Sequence, residues 1–414
     1  MDLHLGRVTI VGLGKSGISA ALFLYRRGVA VSATDSGRES SVLTGAEELR
    51  RLGIPVEWGG HTEKFLKGSD LVVMSPGVPR ESLPYRWAFQ RAVPVIGEIE
   101  LASQFFPGRI IAVTGTNGKS TVTTLIGKVL ARAGLDVRVG GNLGTPFIEL
   151  VEGTTPSTWA VIEVSSYQLE SIRSFHPSIA ILLKVTPHHL ERYPDFESYR
   201  ATKRRIFSNQ TGEDWAIVSE GEAGRLEGVS ARVRTIPECT HDGTNPNIRA
   251  VYEAAQAVCI PRETVDAVLK DFKGLEHRLE FVLERRGIRF FNDSKSTNVA
   301  STLWALSQIK ERGVWILGGR DKDGDFRELA GPLKVRARGV VAMGEAREKI
   351  RMNLEEIGPM VLARELEEAV SCALKLAQEG DAVVLSPACT SFDEFMNFEE
   401  RGRAFKALVR NGCP

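Results

Sequence analysis

The chain is predicted to be an α/β protein with mainly parallel sheets, divided into three domains. Three observations carry that prediction. Short apolar runs rich in valine and isoleucine, among them "VTIVG", "DLVVMSPG", "IIAVTG", "WAVIEVSS", "SIAILLKV", "VWILGG" and "DAVVLSP", alternate with longer helical patterns. Two glycine-rich turns, "GLGKSG" near the N-terminus and "TGTNGKST" at residues 114–121, each stand between a strand-length run and a helical one. A length of 414 residues corresponds to roughly three domains at about 150 residues each. Continuous rather than alternating apolar runs belong to strands buried on both faces, which is the condition of a parallel sheet covered by helices. Breaks near "PVIGEIELA" and "KGLEHRLE" divide the chain into blocks of residues 1–96, 97–276 and 277–414.

Composition narrows the partners. Lys+Arg 53 against Asp+Glu 52 gives a net charge of +1, so there is no basic field for nucleic acid and no polybasic membrane anchor. Small molecules are the expected ligands. The opening "MDLHLGRVTIVGLG" carries Asp2 and His4 and runs directly into a strand, which is unlike a signal peptide or a spanning segment. Cys239, Cys259, Cys372, Cys389 and Cys413 are scattered without a CxxC pair, as suits a reducing cytoplasm.

In the first block, Gly12, Gly14 and Gly17 sit between the strand "VTIVG" and the helix "ISAALFLYRRG", and Asp35 closes the next strand. Such a turn lets backbone amides at a helix N-terminus face an anion. It suits any dinucleotide or nucleotide diphosphate, NAD included, and a nucleotide diphosphate is the reading preferred here. Ser75 to Pro79, "SPGVP", end another strand of the block and place small residues on the same rim.

The second block opens on "IIAVTGTNGKST", again strand, turn and helix, with Val122, Leu125, Ile126, Val129 and Leu130 on the i, i+3, i+4, i+7, i+8 stripe of a buried face. Val113 stands where the strict P-loop has its first glycine, leaving the shorter Gly115-x-x-Gly118-Lys119-Ser120. Lys119 can still reach the β and γ phosphates of a nucleoside triphosphate, and Ser120 can ligate Mg²⁺. Glu163 in "EVSSYQLE" and His189 in "VTPHHLERY" follow later strands of this block. Oxygen ligands suit Mg²⁺ and histidine does not, so two kinds of cation or two sites remain open. In "YRATKRRIF" the apolar helical face holds Tyr199, Ile206 and Phe207 together with Lys203. Burying that lysine costs several kcal/mol unless it meets an anion or loses its charge; snorkelling to the surface is the alternative.

In the third block, "FFNDSKSTN" puts Asp293, Lys295 and Thr297 past a strand, and "LGGRDKDGDF" does the same for Lys322. "LSPACTSFDEFMNFEERG" adds Ser386, Ser391 and Phe398 after a third. Hydroxyls and cations recurring at strand ends make a rim suited to carboxylates.

In this order, "GTNGKST", "GGNLGTPF", "EVSSYQLE", "RATKRRIF", "HRLE", "NDSKSTN" and "LSPACTSFDEFMNFEERG" resemble the Mur ligases of peptidoglycan synthesis. The last two segments resemble the branch of that family that takes D-glutamate. The resemblance covers essentially the whole chain, and it implies a Rossmann-like N-terminal domain for a UDP-linked substrate, a central P-loop-type ATPase domain and a C-terminal Rossmann-like domain for the amino acid. It implies a cytoplasmic, monomeric enzyme that uses ATP and two Mg²⁺ ions to join D-glutamate to UDP-N-acetylmuramoyl-L-alanine through an acyl phosphate, releasing ADP and phosphate.

Residue by residue, the resemblance assigns Gly115, Thr116, Asn117, Gly118, Lys119, Ser120, Thr121, Asn247, Arg278, Asp293 and Lys295 to ATP. Gly14, Lys15, Ser16, Asp35, Ser36, Ser75 and Gly77 fall to the uridine diphosphate, and Asn142, Ser165 and Gln168 to the muramoyl-alanine part. Thr297, Lys322, Ser391 and Phe398, the last through its backbone, would hold D-glutamate. Lys119, Glu163, His189 and Lys203 would be catalytic; Ser120, Glu163 and His189 would ligate metal, joined by Lys203 once carbamylated. The sequence departs from the family pattern "NVTEDHLDR", which reads "KVTPHHLER" here: Lys184, Pro187 and His188 replace an asparagine, an acidic residue and an aspartate beside the metal site. An adenine-side asparagine pair reads Thr244 and Asn247.

Overall fold

The computed structural model describes residues 5–38, 40–187, 192–238, 245–321 and 324–412. The chain forms two compact units, residues 1–272 and 273–414. The first unit contains two sheets and the second contains one.

The first sheet is made of β1 (Arg7–Val11), β2 (Ala30–Asp35), β3 (Val56–Trp58), β4 (Leu71–Met74) and β5 (Val95–Ile96), in the order β3-β2-β1-β4-β5 with every pair parallel. Strand order reverses beside β1. The turns after β1 and β4 therefore open a crevice at their carboxyl ends, where such sheets bind ligands.

The second sheet comprises β6 (Arg109–Thr114), β7 (Val137–Gly141), β8 (Trp159–Glu163), β9 (Ile179–Leu182), β10 (Trp215–Ser219) and β11 (Arg232–Ile236). Its order is β11-β10-β9-β6-β8-β7, again all parallel. β6 lies between β8 and β9, so the glycine turn that follows it emerges beside Glu163 on one side and Leu183 on the other. The helix Lys119–Arg132 buries Val122, Leu125, Ile126, Val129 and Leu130 against this sheet, the stripe that the sequence predicts. Burying each such side chain contributes on the order of 1.5–3 kcal/mol. On the opposite face, Phe147, Ala160 and Ile162 join one continuous core with Val8, Ile10 and Val73 of the first sheet.

The third sheet, in the second unit, holds β12 (Glu280–Arg285), β13 (Ile288–Asn292), β14 (Gly313–Gly318), β15 (Ala337–Met343), β16 (Met360–Leu362) and β17 (Ala382–Leu385). Its order is β12-β13-β17-β14-β15-β16, and only the β12–β13 hairpin is antiparallel. Separate apolar clusters cover its two faces. Among the described residues, no helix is long and apolar enough to cross a membrane.

Candidate active site

The glycine turn after β6 is shaped by two residues with backbone conformations that disfavour a side chain. Gly115 has φ 150° and Gly118 has φ 83°. A Cβ on Gly115 would stand 2.7 Å from Leu183 Cβ, and one on Gly118 would stand 2.5 Å from the side-chain oxygen of Asn247. The loop is thus gripped between the end of β9 and the first turn of the helix Pro246–Ala257. Thr116 fixes the tip: its N–H donates to Lys184 O at 3.1 Å, and its hydroxyl donates to Thr186 O at 3.1 Å while accepting from Thr186 N at 3.0 Å. Asn117 is exposed, and Thr121 lies in the first turn of the following helix. Lys119, the first residue of that helix, folds back so that Nζ donates to Thr116 O at 3.0 Å. The first turn of a helix and an ammonium thereby come together at one glycine turn, the arrangement that suits an anion.

Next to it the structure gathers three of the predicted residues. Ser120 Oγ donates to Glu163 Oε2 at 2.6 Å, and Asn142 Nδ2 donates to Glu163 Oε1 at 2.9 Å. Glu163 is buried at the end of β8, and its carbonyl also accepts from Asn142 N. Each carboxylate oxygen keeps a lone pair beyond the single bond it accepts, so hydroxyl, carboxylate and amide oxygens form a donor set of the kind Mg²⁺ takes.

Lys203 lies beneath the turn. It is 2% exposed, which removes the snorkelling alternative. Its Nζ donates to Gly115 O at 2.9 Å and sits 4.8 Å from the Tyr199 ring centroid. Burial foremost, then the Lys119 charge, holds its pKa well below the ordinary lysine value, against the pull of Glu163. The helix that carries it, Phe196–Arg204, is capped by Asp195, which accepts from Ser198 N at 2.7 Å. A lysine with a depressed pKa is thereby positioned under the glycine turn. His189, the other residue expected here, lies outside the described residues, as do His188 and Thr244.

The crevice of the first sheet is a cleft of about 540 Å³ lined by Gly12, Gly14, Ser16, Asp35, Ser36, His61, Ser75 and Gly77, with Pro76, Val78, Pro79 and Ser82. All predicted residues of the uridine diphosphate region except Lys15 therefore share one space. Lys15 instead donates to Gly144 O at 2.7 Å. A Cβ on Gly17 would stand 1.9 Å from Gly12 O, so only glycine lets the helix approach the turn this closely. Asp35 accepts from Leu13 N at 2.5 Å and Gly37 N at 2.6 Å, and Ser75 Oγ donates to Gly12 O at 3.1 Å. Ser165 and Gln168 form a capping box on the short helix Ser166–Leu169: Gln168 Oε1 accepts from Ser165 N at 2.9 Å and Ser165 Oγ accepts from Gln168 N at 3.3 Å. His61 was not anticipated; the sequence offers only a histidine after two glycines.

In the second unit, Asp293 is fully buried past β13, where Oδ2 accepts from Ser296 Oγ at 2.5 Å and Ser386 Oγ at 2.8 Å and Oδ1 from Leu279 N at 3.1 Å. Burial raises its pKa, opposed first by Arg278. The Arg278 guanidinium stacks 4.4 Å from the Trp304 ring centroid, and burial lowers its pKa. Lys295 Nζ stands 5.7 Å from the Phe398 ring centroid, while Thr297 N donates to Lys295 O at 3.0 Å. Phe398 begins the helix Phe398–Asn411, and its carbonyl accepts from Ser294 Oγ at 2.8 Å. Ser391 is buried close by in sequence, and Lys322 lies outside the described residues.

Sequence reasoning missed Arg401. It is 1% exposed and its guanidinium donates to Ser294 Oγ, Ser294 O, Cys389 O and Thr390 O at 2.9–3.2 Å. It ties the loop after β13 to the loop after β17, and burial lowers its pKa to about 10. The signal was available: Phe398, Arg401 and Phe405 share one helical face, the same anomaly that singled out Lys203. Glu276, His277 and Glu280 also converge, but Lys406 Nζ donates to Glu280 at 3.0 Å and to Glu276 at 2.5 Å, so an ammonium already takes the place between the two carboxylates.

With the geometry in place, comparison with known proteins gives the class. Residues 6–97 match the Mur ligase MurD-like N-terminal domain, residues 113–257 the Mur ligase middle domain, and residues 277–389 the Mur ligase glutamate ligase domain. The chain belongs to the Mur ligase family, whose fold is three α/β domains. It is 39% identical to a UDP-N-acetylmuramoylalanine--D-glutamate ligase of Koribacter versatilis, over 99% of this chain and 98% of that protein. A protein of the same name from Acidobacterium capsulatum is 39% identical over 99% and 97% of the two chains. Among solved structures, the fold is shared with UDP-N-acetylmuramate-alanine ligase MurC of Thermotoga maritima, with a TM-score of 0.60 and 17% identity over 98% and 99% of the two chains. It is shared also with MurF ligase of Thermotoga maritima in complex with ADP, with a TM-score of 0.58 and 14% identity over 99% of each chain.

Proposed function

We propose that this protein is an ATP-dependent ligase that joins D-glutamate to UDP-N-acetylmuramoyl-L-alanine in peptidoglycan precursor synthesis. The observation that carries the reading is the anion cradle of Gly115 to Ser120, with Glu163 bonded to Ser120 and a buried amine at Lys203 beneath it. The names of the relatives that match along the whole chain supply the substrates.

A carboxylate is a poor electrophile until one oxygen becomes a good leaving group. The alanine carboxylate attacks the γ-phosphorus of ATP, the bond to the β-bridging oxygen breaks, and ADP leaves behind an acyl phosphate. The amine of D-glutamate then adds to the carbonyl carbon, phosphate departs, and the amine loses its proton as the amide forms. Lys119 and the loop amides neutralise the phosphates so that two anions can approach. Asn142 holds Glu163 in place, while Ser165 and Gln168 set the turn beside it. Ser120 and Glu163, with His189 and carbamylated Lys203, would hold Mg²⁺, two ions in all, which when bound supply further charge neutralisation at the phosphates. The low pKa of Lys203 favours the neutral amine that carbamylation by CO₂ requires.

The division of labour follows the three blocks of the chain. Residues 1–96 hold the uridine diphosphate, residues 97–276 hold ATP, and residues 277–414 present D-glutamate through Thr297, Lys322, Ser391 and Phe398, with Arg278, Asp293 and Lys295 serving ATP. The enzyme works as a cytoplasmic monomer. Isotope transfer tests the mechanism: with ¹⁸O in the alanine carboxylate, one labelled oxygen is expected in the released phosphate. Unlabelled phosphate accompanying amide product would refute the acyl phosphate.

A further inference from the structure

His61 lines the cleft of the first sheet and is the one imidazole there. Its orientation is set from behind. Nδ1 lies 2.9 Å from Thr34 Oγ1, which also lies 3.2 Å from Glu57 Oε2 and 3.4 Å from Gly60 O. A threonine hydroxyl has one hydrogen, and carboxylate and carbonyl oxygens can only accept. The arrangement that makes the most bonds sends the threonine hydrogen to Glu57 or Gly60 and has Nδ1–H donate to Thr34. The proton then sits on Nδ1, and Nε2 carries a lone pair. Nε2 makes no hydrogen bond among the described residues. Burial lowers the pKa of the ring, against the opposing pull of Asp35 and then Glu57, which favours the neutral form.

Other groups of the cleft differ in kind. Asp35 is a charged acceptor, each oxygen anchored by one backbone N–H, from Leu13 and Gly37, and Ser75 spends its hydroxyl hydrogen on Gly12 O. His61 Nε2 adds a neutral acceptor to the same cleft, a feature that the phosphate-binding turn does not need. A nucleoside does offer donors: the N3–H of uracil and the ribose hydroxyls.

We propose that His61 is a specificity residue for the nucleoside half of the substrate, its Nε2 accepting a hydrogen bond from uracil N3–H or from a ribose hydroxyl. The inference rests on the reading that this cleft holds uridine diphosphate. Phosphate contacts would bind any nucleoside diphosphate alike, whereas an acceptor that takes uracil N3–H rejects cytosine, which has no donor at N3, and one that takes a ribose hydroxyl rejects the deoxynucleotide.

The test is calorimetric binding of UDP to the full-length protein and to three variants. Glutamine can place a polar atom near the Nε2 position and asparagine near that of Nδ1. His61→Ala and His61→Asn are expected to weaken UDP binding about five- to tenfold, the effect of one lost hydrogen bond, and His61→Gln to recover part of it. A ring that serves only to anchor Thr34 gives the reverse order, with asparagine tolerated and glutamine not, and that result overturns the proposal. Binding of 3-methyl-UDP and 2′-deoxy-UDP identifies the donor: wild type discriminates against one of them, and His61→Ala loses that discrimination. Equal UDP affinity of His61→Ala and wild type overturns the proposal. Failure of wild type to bind UDP at all sinks instead the reading of the cleft on which it rests. Circular dichroism melting of each variant separates misfolding from lost contacts.

Discussion

A lysine 2% exposed that donates to a neutral backbone carbonyl has its charge buried without full compensation. Its folded pKa lies below the unfolded value, so between the two the unfolded chain binds more protons, and the resulting cost grows as pH falls from the ordinary lysine range. At pH 7.5 that cost is in force. Lys203→Met is therefore expected to melt at a temperature equal to or above that of wild type in bicarbonate-free buffer, yet to lose ligation by a factor of about a hundred or more, as when transition-state electrostatics are removed. Thermal melts and product assays on the same samples decide it, and a variant that melts several degrees lower and turns over normally contradicts the assignment. Lys203→Ala is expected to regain part of its activity when a small carboxylic acid replaces the missing carbamate, read as product formed against acid concentration. At this scale the sequence was informative where a charge interrupts an apolar stripe. Arg401 interrupts one in the same way, inside the segment "LSPACTSFDEFMNFEERG" whose Ser391 and Phe398 the resemblance assigns to D-glutamate. His61 had no such signal, since its role depends on Thr34, 27 residues away in sequence.

Helix Glu98–Phe105 shows how one element can treat two carboxylates differently. Glu100 accepts from Arg173 N, Ser174 N and Phe175 N at 2.8–2.9 Å and from Ser174 Oγ at 2.5 Å. Burial pushes its pKa up, but those four donors outweigh it and the net shift is downward. Glu98 accepts from Ile148 N at 2.6 Å on Oε1, and its Oε2 lacks a hydrogen-bond partner among the described residues. Burial, opposed by the N–H groups of Ile148 and Phe147 and reinforced by Glu149, raises its pKa from 4.5 to about 7. Here the folded state holds the proton longer, so the contribution of Glu98 to stability is fully present below pH 4.5 and is lost as pH rises to about 7, after which it stays level. Glu98→Gln is expected to flatten that decline and to raise the melting temperature at pH 8 by several degrees, with a ceiling of about 3 kcal/mol. A pH series of melts checks it; an unchanged slope would show that Glu98 is ionised throughout.

The elements legible in advance were those with continuous apolar runs, such as β6, β8, β9, β14 and β17, all buried along their length or nearly so. Strands at or near sheet edges, β3, β5, β7, β11, β12 and β16, were not foreseen. Val56–Trp58 and Met360–Leu362 have three residues each, and Arg232–Ile236 buries only Ile236. An edge strand packs against one neighbour, so its sequence is free to be polar and its existence is decided by the strand beside it.

At the scale of the molecule, two glycine-rich turns of a phosphate-binding type in one chain make sense when each lies at the switch point of its own sheet. One follows β1 in the first sheet and the other follows β6 in the second, both within residues 1–272. Residues 273–414 form a separate unit whose strand ends carry a buried carboxylate and cations. The two separate sheets of residues 1–272 were legible in the sequence because each glycine turn comes with its own strand and helix. The tying of the loops after β13 and β17 by one arginine was not, because it joins positions more than a hundred residues apart.

The most direct measurement is release of ADP and phosphate by the purified full-length protein with ATP and Mg²⁺, with each substrate omitted in turn. Amide product and stoichiometric phosphate are expected only when UDP-N-acetylmuramoyl-L-alanine and D-glutamate are both present, with L-lysine, meso-diaminopimelate and L-alanine failing to replace D-glutamate. Efficient use of any of those amino acids, or no ATP consumption with every reactant supplied, would contradict the proposed ligation.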